Sequence, residues 1–200
     1  MDNNIPWKEK TPWQKTKKVY NYIFNENQLL SWIFSILIAY VVVKFLFYPG
    51  LGLVLGTDLP LVAVISPSME HEGQDFDIWW ENNEVWYLER GITKEQFQEF
   101  TMPEGFNIGD VIILKGKKEV EMGDIAVYQN QYSSKISQYP IIHRVTFINE
   151  DDNSFEVKGD NNGQPDQWPI INEDVQGVAL FKIPYIGKLK IWAMQLIGGN

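Results

Sequence analysis

Three short polar islands interrupt this chain: Ser66-Pro67-Ser68-Met69, His143-Arg144, and Lys158-Gly159-Asp160-Asn161-Asn162 with Asp166 beyond. Together they hold a hydroxyl, an imidazole and carboxylates. Those are the parts of an activated nucleophile, the base that takes its proton and the acid that orients the base. Each island also has an ordinary reading. A serine at a proline bend can bond its own backbone, and Asp-Asn-Asn-Gly is plain turn chemistry. His143 stands among Ile141, Ile142 and Val145, where a histidine can be a satisfied core residue, although strand alternation places it opposite Ile142. The one other histidine, His71, lies in the charged run Glu70-His71-Glu72, which predicts a solvated turn.

Metal and cofactor chemistry find little purchase. The two histidines with Glu70 or Glu72 match no usual zinc spacing. The run that begins at Asp160 does not carry glycine and a terminal glutamate at the positions an EF-hand loop needs. With no cysteine in the chain, disulfides, a thiolate nucleophile and thiolate metal sites are excluded. No cofactor and no metal are expected.

The elements that must position these groups begin with LLSWIFSILIAYVVVKFLFY, residues 29–48. As a helix it spans roughly 30 Å, one hydrocarbon core. Its one charge, Lys44, can reach the interface beside Tyr48. The preceding residues 1–28 form a basic segment. They carry five lysines against Asp2, Glu9 and Glu26, a balance of +2; with −9 for the whole chain, the rest carries −11. That bias predicts a cytoplasmic N-terminus with the remainder outside, and the acidic remainder argues against a nucleic-acid partner. A cleaved signal is the competing reading, but the apolar run is long for one and no small-x-small site follows it. A buried soluble helix would need a polar face, which the run lacks.

Pro49-Gly50-Leu51-Gly52 is expected to break the helix. Residues 49–200 then form a mainly β, mostly antiparallel domain of short strands between Gly, Asp and Asn turns. The expected strands are Leu59–Ser66, Ile108–Gly116, Met122–Asn130, Tyr139–Ile148, the SFEVKG run and Val175–Ile183, with Ile186–Ile197 at helical spacing. Two of them repeat a Gly-Asp turn feeding a β-branched run. A block at about 74–105, with Trp79, Trp80, Trp86, Tyr87, Phe97 and the capping box of TKEQFQEF, reads as a small aromatic-rich helical insertion. It is expected to be an accessory lobe outside the catalytic machinery. Tryptophans near the membrane boundary would let it rest on the bilayer or on a partner; a self-packed lobe is the alternative.

The conjunction is specific where its parts are not. Ser-x-Ser-Met after an N-terminal span, Gly-Asp strands, Ile-Ile-His-Arg-Val, then Lys-Gly-Asp-Asn-Asn with a second Asp six residues on, resembles signal peptidase I of the archaeal and endoplasmic-reticulum branch. The resemblance runs from Leu29 through Ile-Pro-Tyr-Ile-Gly and fails only across the 74–105 block. It implies the fold of that family and a serine endopeptidase in the cell membrane, cutting signal peptides from secretory preproteins after small residues. By match of motif, Ser68 is implied as nucleophile, His143 as base, Asp166 as the acid orienting the base, Asp160 as an assisting aspartate and Ser66 as an oxyanion donor beside the Ser68 amide. His143 stands where the bacterial branch has lysine. Two positions depart: the family usually has Gly at Pro67 and Pro at His71. Contact with membrane lipid and accessory subunits are possible partners on this reading. A related Ser/Lys self-cleaving protease is disfavoured, because no lysine takes the place of His143. A non-catalytic membrane-anchored β module remains the alternative from another class.

Overall fold

Thr11-Pro12-Trp13-Gln14 has the sequence of a helix start, and it folds as one. Thr11 caps α1 (Pro12–Asn21) by accepting from the Gln14 amide, and the Gln14 side chain accepts in return from the Thr11 amide. A computed structural model of the chain describes residues 6, 11–26, 28–116, 119–129 and 139–184. It divides into two units, Met1–Gly50 and Leu51–Asn200. The expected helix at Ile186–Ile197 lies outside the described residues.

One helix among the described residues is long and apolar enough to cross a membrane, Gln28–Leu55. It comprises α2 (Gln28–Val42), a π-helical stretch at Val43–Phe47 and α3 (Tyr48–Leu55). The break expected at Pro49-Gly50 does not occur. Proline lacks an amide hydrogen and crowds the carbonyl four residues back, and the wider π turns just before Pro49 relieve both problems. The helix ends instead before Gly56, which takes a left-handed φ of 69°. Lys44 donates to the Tyr40 hydroxyl at 3.0 Å, one turn back, and not to the Tyr48 side.

Beyond the helix the chain is an antiparallel sheet. Its strands are β1 (Leu61–Ala63), β2 (Val111–Lys115), β3 (Ile125–Tyr128), β4 (Ile141–Asn149), β5 (Ser154–Lys158), β6 (Ile170–Ile171) and β7 (Val175–Ile183). Their order is β1-β2-β7-β3-β4-β5-β6. The two Gly-Asp repeats form the same turn twice: Asp110 accepts from the Asn107 amide at 3.0 Å, and Asp124 from the Glu121 amide at 2.8 Å. Each turn delivers the chain into β2 or β3. The first expected strand shrinks to three residues, because Val64 already pairs with the turn at Gly109 and Asp110 rather than with a strand. The short β6, Ile170–Ile171, carries too little pattern to be read from sequence.

Alternation divides the apolar residues between two faces. Ile125 and Val127 join Val64, Met69, Phe106, Ile112 and Leu114 on one; Ala126 and Tyr128 join Val145, Phe155 and Val157 on the other. Register shifts at Ile113/Leu114, Val127/Tyr128 and Val145/Phe147 bend the sheet. The curl has a direct consequence. β1 and β4 stand four positions apart, about 19 Å in a flat sheet at ~4.8 Å per strand. Residues from both nevertheless line one cavity.

The insertion contributes α4 (Phe76–Leu88) and α5 (Lys94–Glu99), capped by Asp75 and by Thr93 in the expected capping box. Trp79, Trp80, Tyr87, Ile92 and Phe97 form its buried core. Trp79 and Trp80 are only 3% and 2% exposed. They are therefore core residues and not the boundary anchors expected above.

Candidate active site

Val64 leaves β1 and the chain enters the bend Ser66-Pro67-Ser68, closed by the Glu70 amide donating to the Pro67 carbonyl at 3.0 Å. From across the sheet, the loop after β5 meets this bend. The Asn161 amide donates to the Ser68 carbonyl at 2.9 Å, and a Cβ on Gly159 would lie 2.6 Å from that same oxygen. Only glycine allows so close an approach. Ser66 and Ser68 face one another, with hydroxyl oxygens 3.2 Å apart.

β4 places His143 opposite Ala126, on the face of Tyr128 and Val145, while Arg144 points to the other face. His143 Nδ1 lies 2.7 Å from Asp166 Oδ1. A carboxylate only accepts, so Nδ1 carries the proton and Nε2 is left as a base. Asp166 is itself tied down, its amide donating to the Val157 carbonyl at 2.8 Å and its Oδ2 accepting from the Tyr128 hydroxyl. Burial would raise the Asp166 pKa, but the hydrogen bond and charge of His143, then the Tyr128 hydroxyl, hold it below the usual carboxylate range. Burial first, then the Asp166 charge, pushes the Tyr128 phenol well above its usual value, which keeps it a donor.

Ser66, Ser68 and His143 share the wall of a cavity of about 530 Å³, with Leu61, Val62, Ala63, Ile65, Pro140 and Ile142 among its apolar lining. The Ser68 hydroxyl bonds Ser66, not the imidazole. Such contacts are often long until substrate is bound.

Asp160 is not part of this arrangement. It is fully buried and accepts from Arg144 Nε at 2.9 Å and Nη2 at 2.7 Å, with His71 Nε2 at 3.3 Å. Burial would raise its pKa; the Arg144 guanidinium outweighs that and brings it to about 2. Arg144 also donates to the carbonyls of Thr101 and Met102 at 2.7 and 3.1 Å and stands 4.7 Å above the Phe97 ring. Lys158, opposite Arg144 on β5, is likewise buried, donating to the Gly159 carbonyl and the Tyr87 hydroxyl at 3.1 and 3.3 Å. Burial lowers its pKa to about 8, against the pull of Asp160.

His71 corrects the expectation of a solvated turn. It is 5% exposed, stacked on Trp79, and held on Asp160. Its neighbours Glu70 and Glu72 suggested solvent, but Glu70 turns back to accept from the Ile108 amide at 2.7 Å. The insertion, expected as an accessory lobe, packs an aromatic core of its own, and through Trp79, Phe97, Thr101 and Met102 it also covers His71 and the Arg144–Asp160 pair behind the site. The second and third polar islands thus divide between two sides: His143 and Asp166 lie with Ser68 toward the cavity, and Arg144 and Asp160 lie with His71 toward the insertion. Tyr128, unflagged in the sequence, joins the first set. Its signal was the register of β3 on β4, which no residue motif contains.

No protein-family model matches the chain. Curated relatives do. The chain is 30% identical over 155 residues to the signal peptidase complex catalytic subunit sec11 of Schizosaccharomyces pombe, covering 72% of each chain. It is 34% identical over 102 residues to the SEC11 subunit of Plasmodium falciparum, covering 46% of this chain and 53%, about half, of that protein. Against human SEC11C it is 27% identical over 157 residues, covering 72% of this chain and 62% of the relative. With two thirds and more of both chains matched at this identity in the fission-yeast case, the chain belongs to the family of signal peptidase complex catalytic subunits.

Proposed function

We propose that the chain is a membrane-anchored serine endopeptidase that removes signal peptides from secretory precursors. The observation that carries this is geometric. Ser66, Ser68 and His143 line one apolar cavity, and Asp166 occupies the far nitrogen of the His143 ring. Family membership supports the substrate class.

In this reading Ser68 Oγ attacks the scissile carbonyl while His143 Nε2 takes its proton. Asp166 keeps the ring in the Nδ1–H tautomer and stabilises the imidazolium that forms. The Ser68 amide and the Ser66 hydroxyl hold the oxyanion, each donor contributing about 3 kcal/mol. The imidazolium then protonates the leaving amine, and water resolves the acyl-enzyme. Asp160 acts through structure, by pairing Arg144 beside the base.

The precursor binds extended. β1 is an edge strand, and Leu61, Val62 and Ala63 also line the cavity, so an added strand along β1 would carry its side chains into that lining. Small residues precede the cut. The helix Gln28–Leu55 spans the cell membrane with the lysine-rich end in the cytoplasm. Because the relatives are named as subunits of a complex, accessory subunits are part of the proposal. The deciding experiment uses purified full-length chain with a precursor peptide whose signal segment ends in Ala-x-Ala and is followed by further residues. Cleavage by the unaltered chain and none by Ser68→Ala supports the reading; full cleavage by Ser68→Ala overturns it and leaves a non-catalytic β module.

A further inference from the structure

We infer that Tyr128 is a positioning residue for the His143–Asp166 pair, setting which carboxylate oxygen faces the imidazole; this rests on the protease reading above. The register pairs Ala126 with His143 and Tyr128 with Ile141, which puts Tyr128 diagonal to His143 on the same face. Its hydroxyl donates to Asp166 Oδ2, while His143 Nδ1 lies 2.7 Å from Oδ1. The same hydroxyl stands 3.3 Å from His143 Nδ1. Two donors on two oxygens of one carboxylate fix its plane.

Without the hydroxyl that plane is loose. Asp166 sits in the loop between β5 and β6, half-buried, anchored by its own amide rather than by a strand ladder. Rotation about its terminal torsion is broad for a carboxylate, and each rotation would lengthen the bond to Nδ1. With Tyr128 in place, rotation breaks a hydrogen bond in a buried setting, where an unmade one is costly. Packing alone does not explain a tyrosine here. The ring is fully buried among Ala126, Val145, Val157 and Val178, where phenylalanine would serve equally well. The hydroxyl is the part that packing does not need, and its partners are the proposed acid and base.

The test is Tyr128→Phe in the full-length chain, alone and combined with Asp166→Asn, with Ser68→Ala run in the same precursor-peptide assay. Tyr128→Phe should lower kcat roughly tenfold, the scale of one hydrogen bond to a charged group. KM should not change. In the Asp166→Asn background the same substitution should do nothing further, because its effect passes through the carboxylate. An equal loss in both backgrounds, or no loss in either, overturns the positioning role. A dead Ser68→Ala in that assay keeps the protease reading intact even then, whereas an active one removes the protease reading itself. If Tyr128→Phe does not fold, ring-nitrogen NMR on the unaltered chain decides: neutral His143 must be protonated on Nδ1, and a proton on Nε2 overturns the proposal.

Discussion

His71 lies flat on Trp79, ring centroids 3.9 Å apart and planes 2° from parallel. This contact joins the turn after Ser68 to the first helix of the insertion. The same imidazole reaches Asp160, which holds Arg144 beside His143. The insertion is thereby the cover of the buried charges that tie the three polar islands together.

Replacing residues 76–103 by a short Gly/Ser linker should therefore abolish cleavage of a soluble peptide and of a membrane-bound precursor alike. Removing the cover exposes Arg144 and Asp160 to water and takes away Thr101 and Met102 as acceptors. Assaying both substrates checks this. Normal peptide cleavage with loss on the precursor alone would mean that the insertion places the precursor instead.

Ser68→Ala and Ser66→Ala should differ in degree. The first removes the proposed attacking oxygen, so cleavage should stop. The second removes one of the two proposed oxyanion donors, and kcat should fall roughly a hundredfold. Single-turnover rates with one precursor peptide make the comparison. Equal loss in both would show that the paired hydroxyls act as one unit.

His143→Ala should lose activity by orders of magnitude, whereas His71→Ala should lose stability. The His71 variant leaves a void against Trp79 and deprives Asp160 of one partner, a cost of about 2–4 kcal/mol. Thermal unfolding of the two variants, with activity assayed well below Tm, separates the roles. A His71 variant that is fully stable but inactive would put His71 in the chemistry.

Asp160 sets an acid limit on stability. Its pKa falls from 3.8 to about 2 on folding, because Arg144 favours the carboxylate more than burial opposes it. A depressed carboxylate stabilises the fold above its unfolded pKa, and that contribution is lost as pH falls through the folded value. Unfolding free energy should thus drop between about pH 4 and pH 2. Asp160→Asn should be less stable at neutral pH by about 3–5 kcal/mol, since Arg144 is left buried without its charge partner, and its acid slope should be shallower. Denaturant titrations at several pH values measure both.

Much of this was legible in the chain itself. A run of twenty residues that is apolar but for Ser31, Ser35 and Lys44 cannot be left in water, so a long helix at residues 29–48 followed from composition. Gly-Asp turns before β-branched runs located β2 and β3, because those turns are closed locally by the aspartate side chain. The same locality brought Ser68, His143 and Asp166 into view, each within a short motif. What composition could not supply is which residues share a face and a wall. The pairing of β3 with β4 put the Tyr128 hydroxyl on Asp166, and the curl of the sheet brought the bend at Ser68 to the cavity of His143. The burial of His71 is not legible in its charged run, because solvation there is set by what folds over it, here Trp79, eight residues on and in another element. The choice between Asp160 and Asp166 as the partner of His143 was likewise tertiary. Both carboxylates lie on the segment that follows β5, and only the packing sends one toward Arg144 and the other toward the imidazole.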